Sequence, residues 1–221
     1  LLNDQAEHVK LNVYSTTTLN AGGAMGADAG AGLSFFELKD NAIQSPNVIV
    51  HEYGHCLNYS GYNWNGQNST GAWWESVANY FTDSYFTDPM CEDVRVERGM
   101  PRDMDTIINL EANIVLSYLT IMHIRNYYQA WPFLTYIAQN PDGYNGLGRL
   151  VLKAMFDSHP RNDETPLHVL QRLTSVPVQT IIGRYWARMA FLDIDHPKAQ
   201  ARYFATLNDG GFRTRAFANW N

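Results

Sequence analysis

The sequence has only two cysteines in 221 residues, Cys56 and Cys91, which excludes a disulfide-stapled scaffold and leaves room for one bridge at most. Long apolar runs are missing too. The greasiest stretch, residues 114–124, is broken by Ser117, Tyr118 and His123 and falls short of the roughly 18 apolar residues a membrane span needs, so a soluble chain without membrane partners is expected. Basic charge is scarce: 16 Lys and Arg against 22 Asp and Glu give a formal net charge of -6. The cations are scattered rather than striped, which argues against a nucleic-acid partner. Nucleotide loops are lacking as well. Gly146-Leu147-Gly148 follows no strand-like segment, and no Walker-type lysine is present. There is no internal repeat. The chain starts at Leu1 without Met or a charged-then-apolar leader, so a processed or trimmed product, part of a longer protein, is expected.

What is there is an ordinary globular balance, 45% hydrophobic and 17% charged, enough for one core-bearing domain over residues 1–221. Residues 8–19 alternate as a strand, residues 21–32 form a Gly/Ala-rich run, and residues 33–38 read as a second strand. Ser45-Pro46 is a helix start and Gly61 a stop, and Trp73, Trp74, Val77, Ala78 and Phe81 recur at helical spacing from about residue 71. From residue 105 onward the pattern is helical: 106–128, a short helix after Trp131-Pro132, then 146–156, 166–173, 177–192 and 197–207. The expected fold is therefore α+β and predominantly helical. Residues 1–104 hold a small β region and two helices, and 105–221 form a helical lobe. Asn58-Tyr59-Ser60 and Asn68-Ser69-Thr70 fit the N-glycosylation acceptor pattern, and with the aromatic, polar stretch 59–70 they lean toward a secreted protein.

The chemistry concentrates in His51-Glu52-Tyr53-Gly54-His55. Histidines four apart lie about 40° apart around a helix and face one ion, whereas Glu52 is turned about 100° from His51 and flanks the metal as a general base. Two imidazoles and a carboxylate suit Zn2+ with one position left for water, although cobalt or manganese would also accept them. The third ligand should come from a neighbouring helix, and Glu75 in Trp73-Trp74-Glu75-Ser76 is the candidate. Asn79, one turn after Glu75, is placed to accept a hydrogen bond from the second ring nitrogen of a ligand histidine.

In the order His51, Glu52, His55, Glu75 and Asn79 the chain resembles the gluzincin metallopeptidases. The wording HEYGH, then WWES, is also similar to an uncharacterised secreted family of bacteria and fungi with gluzincin-like sequences. The match is strongest over residues 46–85, and residues 183–190 are similar too. The resemblance implies a thermolysin-like zincin catalytic domain, zinc and a hydrolytic water. The family's residue at the position of Asn79 is commonly Asp, so a less basic ligand is implied here. The resemblance also implies an edge strand before the active-site helix on which substrate backbone adds. Residues 33–38 occupy that position, which makes Phe35 and Phe36 the substrate-binding candidates, with Gly30 and Gly32 easing the approach. A group must stabilise the developing oxyanion; His123 is the first choice, ahead of Tyr80 and Tyr127.

The expected function is a secreted zinc-dependent metallopeptidase acting on a polypeptide or glycoprotein. Two alternatives stay open: a zinc hydrolase directed at glycoproteins or glycans, suited by the aromatic stretch 59–74, and a non-catalytic zinc-containing binding module.

Overall fold

The computed structural model describes residues 11–28, 33–61, 63–64, 68–117, 119 and 121–208. Among these the chain is α+β, mostly helical, with one three-stranded sheet at the front. Strand β3 (Leu33–Lys39) lies in the middle, with β1 (Asn12–Thr16) parallel on one side and β2 (Gly23–Asp28) antiparallel on the other. Side chains alternate across a strand, so Phe36 and Leu38 turn to one face and close a small core with Cys56, Met25, Val48 and Ile49. Phe35 turns the other way, edge-on to Tyr14 at 5.6 Å.

One expectation is corrected here. Residues 33–38 are not an edge strand: both their edges are paired, so no substrate chain adds to them. The Gly/Ala-rich run supplies six residues to β2, one of the two edges of the sheet. Low strand propensity is overridden by pairing: Gly26 sits opposite Phe35, and a Cβ on Gly26 would lie 2.4 Å from that ring. Gly30, Gly32 and residues 8–10 of the expected first strand lie outside the described residues.

Helix α1 (Pro46–Ser60) begins at Ser45-Pro46 and stops at Gly61. A 3-10 turn, Asn68–Trp73, leads into α2 (Trp74–Thr87). The two helices meet at a very close crossing, where a Cβ on Gly54 would stand 2.8 Å from Ala78 Cα. From the short α3 (Glu92–Glu97), the buried Arg95 donates to the carbonyls of Tyr85 (2.6 Å) and Asp88 (3.1 Å), placing a cation on the C-terminal end of α2.

The helical lobe comprises α4 (Leu110–Val115), α5 (Trp131–Gln139), α6 (Val151–Ser158), α7 (Pro166–Leu173), α8 (Val178–Met189) and α9 (Ala199–Asn208). Its core is built on buried Trp64, Trp73, Trp131, Phe133, Tyr136, Phe156 and Tyr185. The single helix expected over residues 106–128 is not formed. Its backbone groups are taken elsewhere: Asp83 Oδ1 accepts the Ile107 N–H at 2.9 Å, Trp73 Nε1 donates to the Ile121 carbonyl at 2.9 Å, and Ser76 and Asn79 donate to the carbonyls of Tyr127 and Tyr128. Among the described residues of this segment, α4 and a 3-10 turn at Ile124–Asn126 are what remains helical.

Arg184 and Arg188 both grip Asp142, which also accepts the Tyr136 hydroxyl at 2.7 Å. His196 is a buried cap: its Nδ1 accepts the N–H groups of Lys198 and Ala199 while Nε2 meets Asp83. Cys56 and Cys91 are both free thiols, so no bridge links them. No helix among the described residues is long and apolar enough to cross a membrane.

Candidate metal centre

Because α1 presents His51 and His55 one turn apart and α2 starts directly beside them, the first turn of α2 delivers Glu75 to both rings. Glu75 Oε2 lies 2.9 Å from His51 Nε2 and 3.3 Å from His55 Nε2, and the two Nε2 atoms are 3.1 Å apart. Three ligands at zinc distances of about 2.0–2.1 Å in a tetrahedron would be separated by about 3.3 Å, close to this triangle. The other nitrogen of His51, Nδ1, is 2.8 Å from Asn79 Oδ1. An amide oxygen only accepts, so Nδ1 carries the proton and Nε2 of a neutral His51 offers a lone pair to Glu75. Lone pair and carboxylate at 2.9 Å need a cation or a proton between them. The donor set therefore fits a metal ion held by His51, His55 and Glu75.

The electrostatics agree. Burial would raise the Glu75 carboxyl, but hydrogen bonds from His51 and His55 outweigh it and hold it down to about 2. Burial would lower His51, and Glu75 overcomes that, so its pKa stands above the ordinary imidazole value. Glu52 is 5% exposed; burial raises its carboxyl against the opposing pull of His55 and His51, which is the tuning a proton acceptor requires.

These residues open on a cleft of about 390 Å³ lined by Gly23, Ala24, Met25, Asn58, Tyr59, Trp74 and Tyr128 besides the two histidines, Glu52 and Glu75. Its sheet-side wall is the edge strand β2. Gly23 presses so closely on Glu52 that a Cβ there would meet the carboxylate Oε1 at 2.7 Å. Neither phenylalanine named from the sequence lines this cleft: Phe36 is buried in the small core and Phe35 covers Gly26 on the far face.

His123 is not at the cleft either. Its Nδ1 accepts the Arg125 N–H at 3.1 Å and caps the 3-10 turn that follows. Tyr80 is buried in the helical core, and burial lifts its hydroxyl to about 12. Tyr127 packs edge-on against Tyr128 at 4.4 Å and does not line the cleft. The residue that does is Tyr128, its ring stacked on His51 at 6.3 Å and its hydroxyl near enough to Glu75 to feel that charge. Burial first, and Glu75 next, push that hydroxyl well above its ordinary value. Two side chains of α2, Ser76 and Asn79, hold the backbone that presents it. No signal in the sequence marks Tyr128, since its position depends on those tertiary hydrogen bonds.

Over residues 3–214 the chain matches a family described as "Family of unknown function (DUF6055)", and it belongs to that family. No curated protein and no solved structure matches it.

Proposed function

We propose that this member of a family of unknown function is a zinc-dependent peptide hydrolase of gluzincin type, with a zincin arrangement of α1, α2 and the sheet edge. The observation that carries the reading is the triangle of His51 Nε2, His55 Nε2 and Glu75 Oε2, 2.9 to 3.3 Å on a side, beside a buried Glu52 in a cleft. His51, His55 and Glu75 would hold the zinc, and the bound ion would supply a Lewis acid for the scissile carbonyl and for water. Glu52 removes a proton from the attacking water and passes it to the leaving amine nitrogen. Asn79 keeps the His51 ring in the tautomer that ligates. The Tyr128 hydroxyl, which borders the cleft, donates to the carbonyl oxygen as charge develops there. The polypeptide lies along β2, whose outer edge borders the cleft through Gly23, Ala24 and Met25, and adds to the sheet as a further strand.

The test is zinc content by mass spectrometry of the parent and of Glu75→Ala, alongside cleavage of a quenched peptide library. About one zinc per chain, lost in the variant, with chelator-sensitive cleavage, supports the reading. No zinc in the parent after reconstitution sinks it.

A further inference from the structure

Trp73 and Trp74 are neighbours with opposite fates. Trp73 is fully buried, whereas Trp74 is 37% exposed and lines the cleft. An exposed tryptophan usually has several rotamers open to it, but Trp74 is pinned. Its ring Nε1 donates to Thr70 Oγ1 at 3.0 Å, and Thr70, itself fully buried, donates to the Trp64 carbonyl at 2.9 Å. Its own carbonyl accepts from Asn58 Nδ2 at 3.2 Å. A rigid aromatic face is thus turned to a cleft, and ordering it in advance lowers the cost of receiving a ligand.

Asn58 supplies the second observation. It is 6% exposed and lines the same cleft, one turn of α1 beyond His55. Its Nδ2 is committed to Trp74, yet no donor among the described residues reaches its Oδ1. A buried acceptor without a donor is costly and asks for a partner. Its burial also removes Asn58-Tyr59-Ser60 as a glycosylation acceptor. Tyr59 lines the cleft next to it. Among the described residues the cleft lining has no Lys or Arg, so it offers no cationic side chain to an anionic ligand such as a phosphate.

We infer that Trp74 and Asn58 form a subsite for a neutral pyranose ring carried by the polypeptide, so that the substrate is a glycosylated chain. The apolar C–H face of the sugar stacks on the indole of Trp74, and a sugar hydroxyl or acetamido N–H donates to Asn58 Oδ1. The subsite rests on the hydrolytic reading for its consequence, but it is tested without turnover.

The experiment uses the full chain carrying Glu52→Gln and two synthetic peptides, one with a single O-linked N-acetylhexosamine and the same peptide bare, with binding measured by calorimetry. The glycopeptide binds about tenfold or more tightly. Trp74→Ala brings the ratio close to one, Trp74→Phe keeps most of it, and Asn58→Ala reduces it. Equal affinity for the two peptides, unchanged by Trp74→Ala, overturns the subsite; cleavage of the bare peptide by the parent would then leave the hydrolytic reading intact. Preferential glycopeptide binding by a chain that holds no zinc would uphold the subsite and sink the hydrolytic reading instead.

Discussion

The ring of His51 is held from both sides by α2: Nδ1 is 2.8 Å from Asn79 Oδ1, and Nε2 is 2.9 Å from Glu75 Oε2. One helix thus supplies both a proposed ligand and the group that orients another. Asn79→Ala frees the tautomer of His51 and is expected to weaken zinc binding by about 10- to 100-fold. Asn79→Asp keeps the acceptor and adds charge, so it should restore or exceed the parent affinity. Competition with a chromophoric chelator measures both; an Ala variant with parental affinity would remove Asn79 from the site.

Glu52→Gln separates metal binding from proton transfer. Glu52 is not one of the three residues grouped to hold the metal but shares their cleft, so the variant should keep its zinc while turnover falls by roughly two to four orders of magnitude. Unchanged turnover would favour a non-catalytic zinc module.

The pH dependence of stability should have opposite slopes with and without metal. Without metal, His51 and Glu52 both have folded-state pKa values above their ordinary ones. A raised folded pKa contributes stability that is present below the unfolded pKa and lost as pH rises through the folded one. The metal-free chain should therefore lose stability as pH rises from the ordinary carboxylate range through the raised His51 value. Zinc reverses the sign at the histidines, because it binds their neutral form and expels the proton. Glu75, held down to about 2, acts in the opposite sense up to the ordinary carboxylate range, where its unfolded-state carboxyl titrates, so the slope is read above that range. Thermal melts of chelated and zinc-loaded protein across this range check it; parallel slopes would count against His51 as a ligand.

Gly54→Ala should damage the site without touching a ligand. The new methyl would meet Ala78 Cα at 2.8 Å, backbone that can yield only if α1 and α2 separate. Overpacking of this kind costs about 1–3 kcal/mol. Both the melting temperature and the zinc affinity should fall, since the crossing sets the distance from Glu75 to the histidines. A loss of stability with intact zinc affinity would show that the crossing does not govern the site.

Asp142→Ala should do the reverse. Arg188 holds the Asp142 carboxyl well below the usual carboxylate range, against burial and with help from Tyr136 and Arg184. A depressed carboxyl contributes stability that is present above its unfolded pKa and lost as pH falls. Removing it leaves Arg188, with 15% of its side chain exposed, without its main partner, at a cost of about 3 kcal/mol. Denaturant melts should show the loss while zinc content stays at the parent level.

The local motifs were legible because helix geometry alone fixes them. His51 and His55 face one way whatever surrounds α1, and Glu75 and Asn79 share a stripe on α2 for the same reason. The α+β class and the helices at 131, 166 and 178 followed from caps, prolines and periodicity. Tertiary structure decided what depends on distant pairing. Whether residues 33–38 were edge or centre turned on where a Gly/Ala run would pair, and such a run carries almost no strand signal of its own. The segment 106–128 has a helical pattern, yet Asp83, Trp73, Ser76 and Asn79 claim its backbone groups and bring Tyr128, not His123, to the cleft. Periodicity records which side chains are apolar; it does not record which backbone donors and acceptors a neighbouring helix will take, and only the folded chain settles that competition.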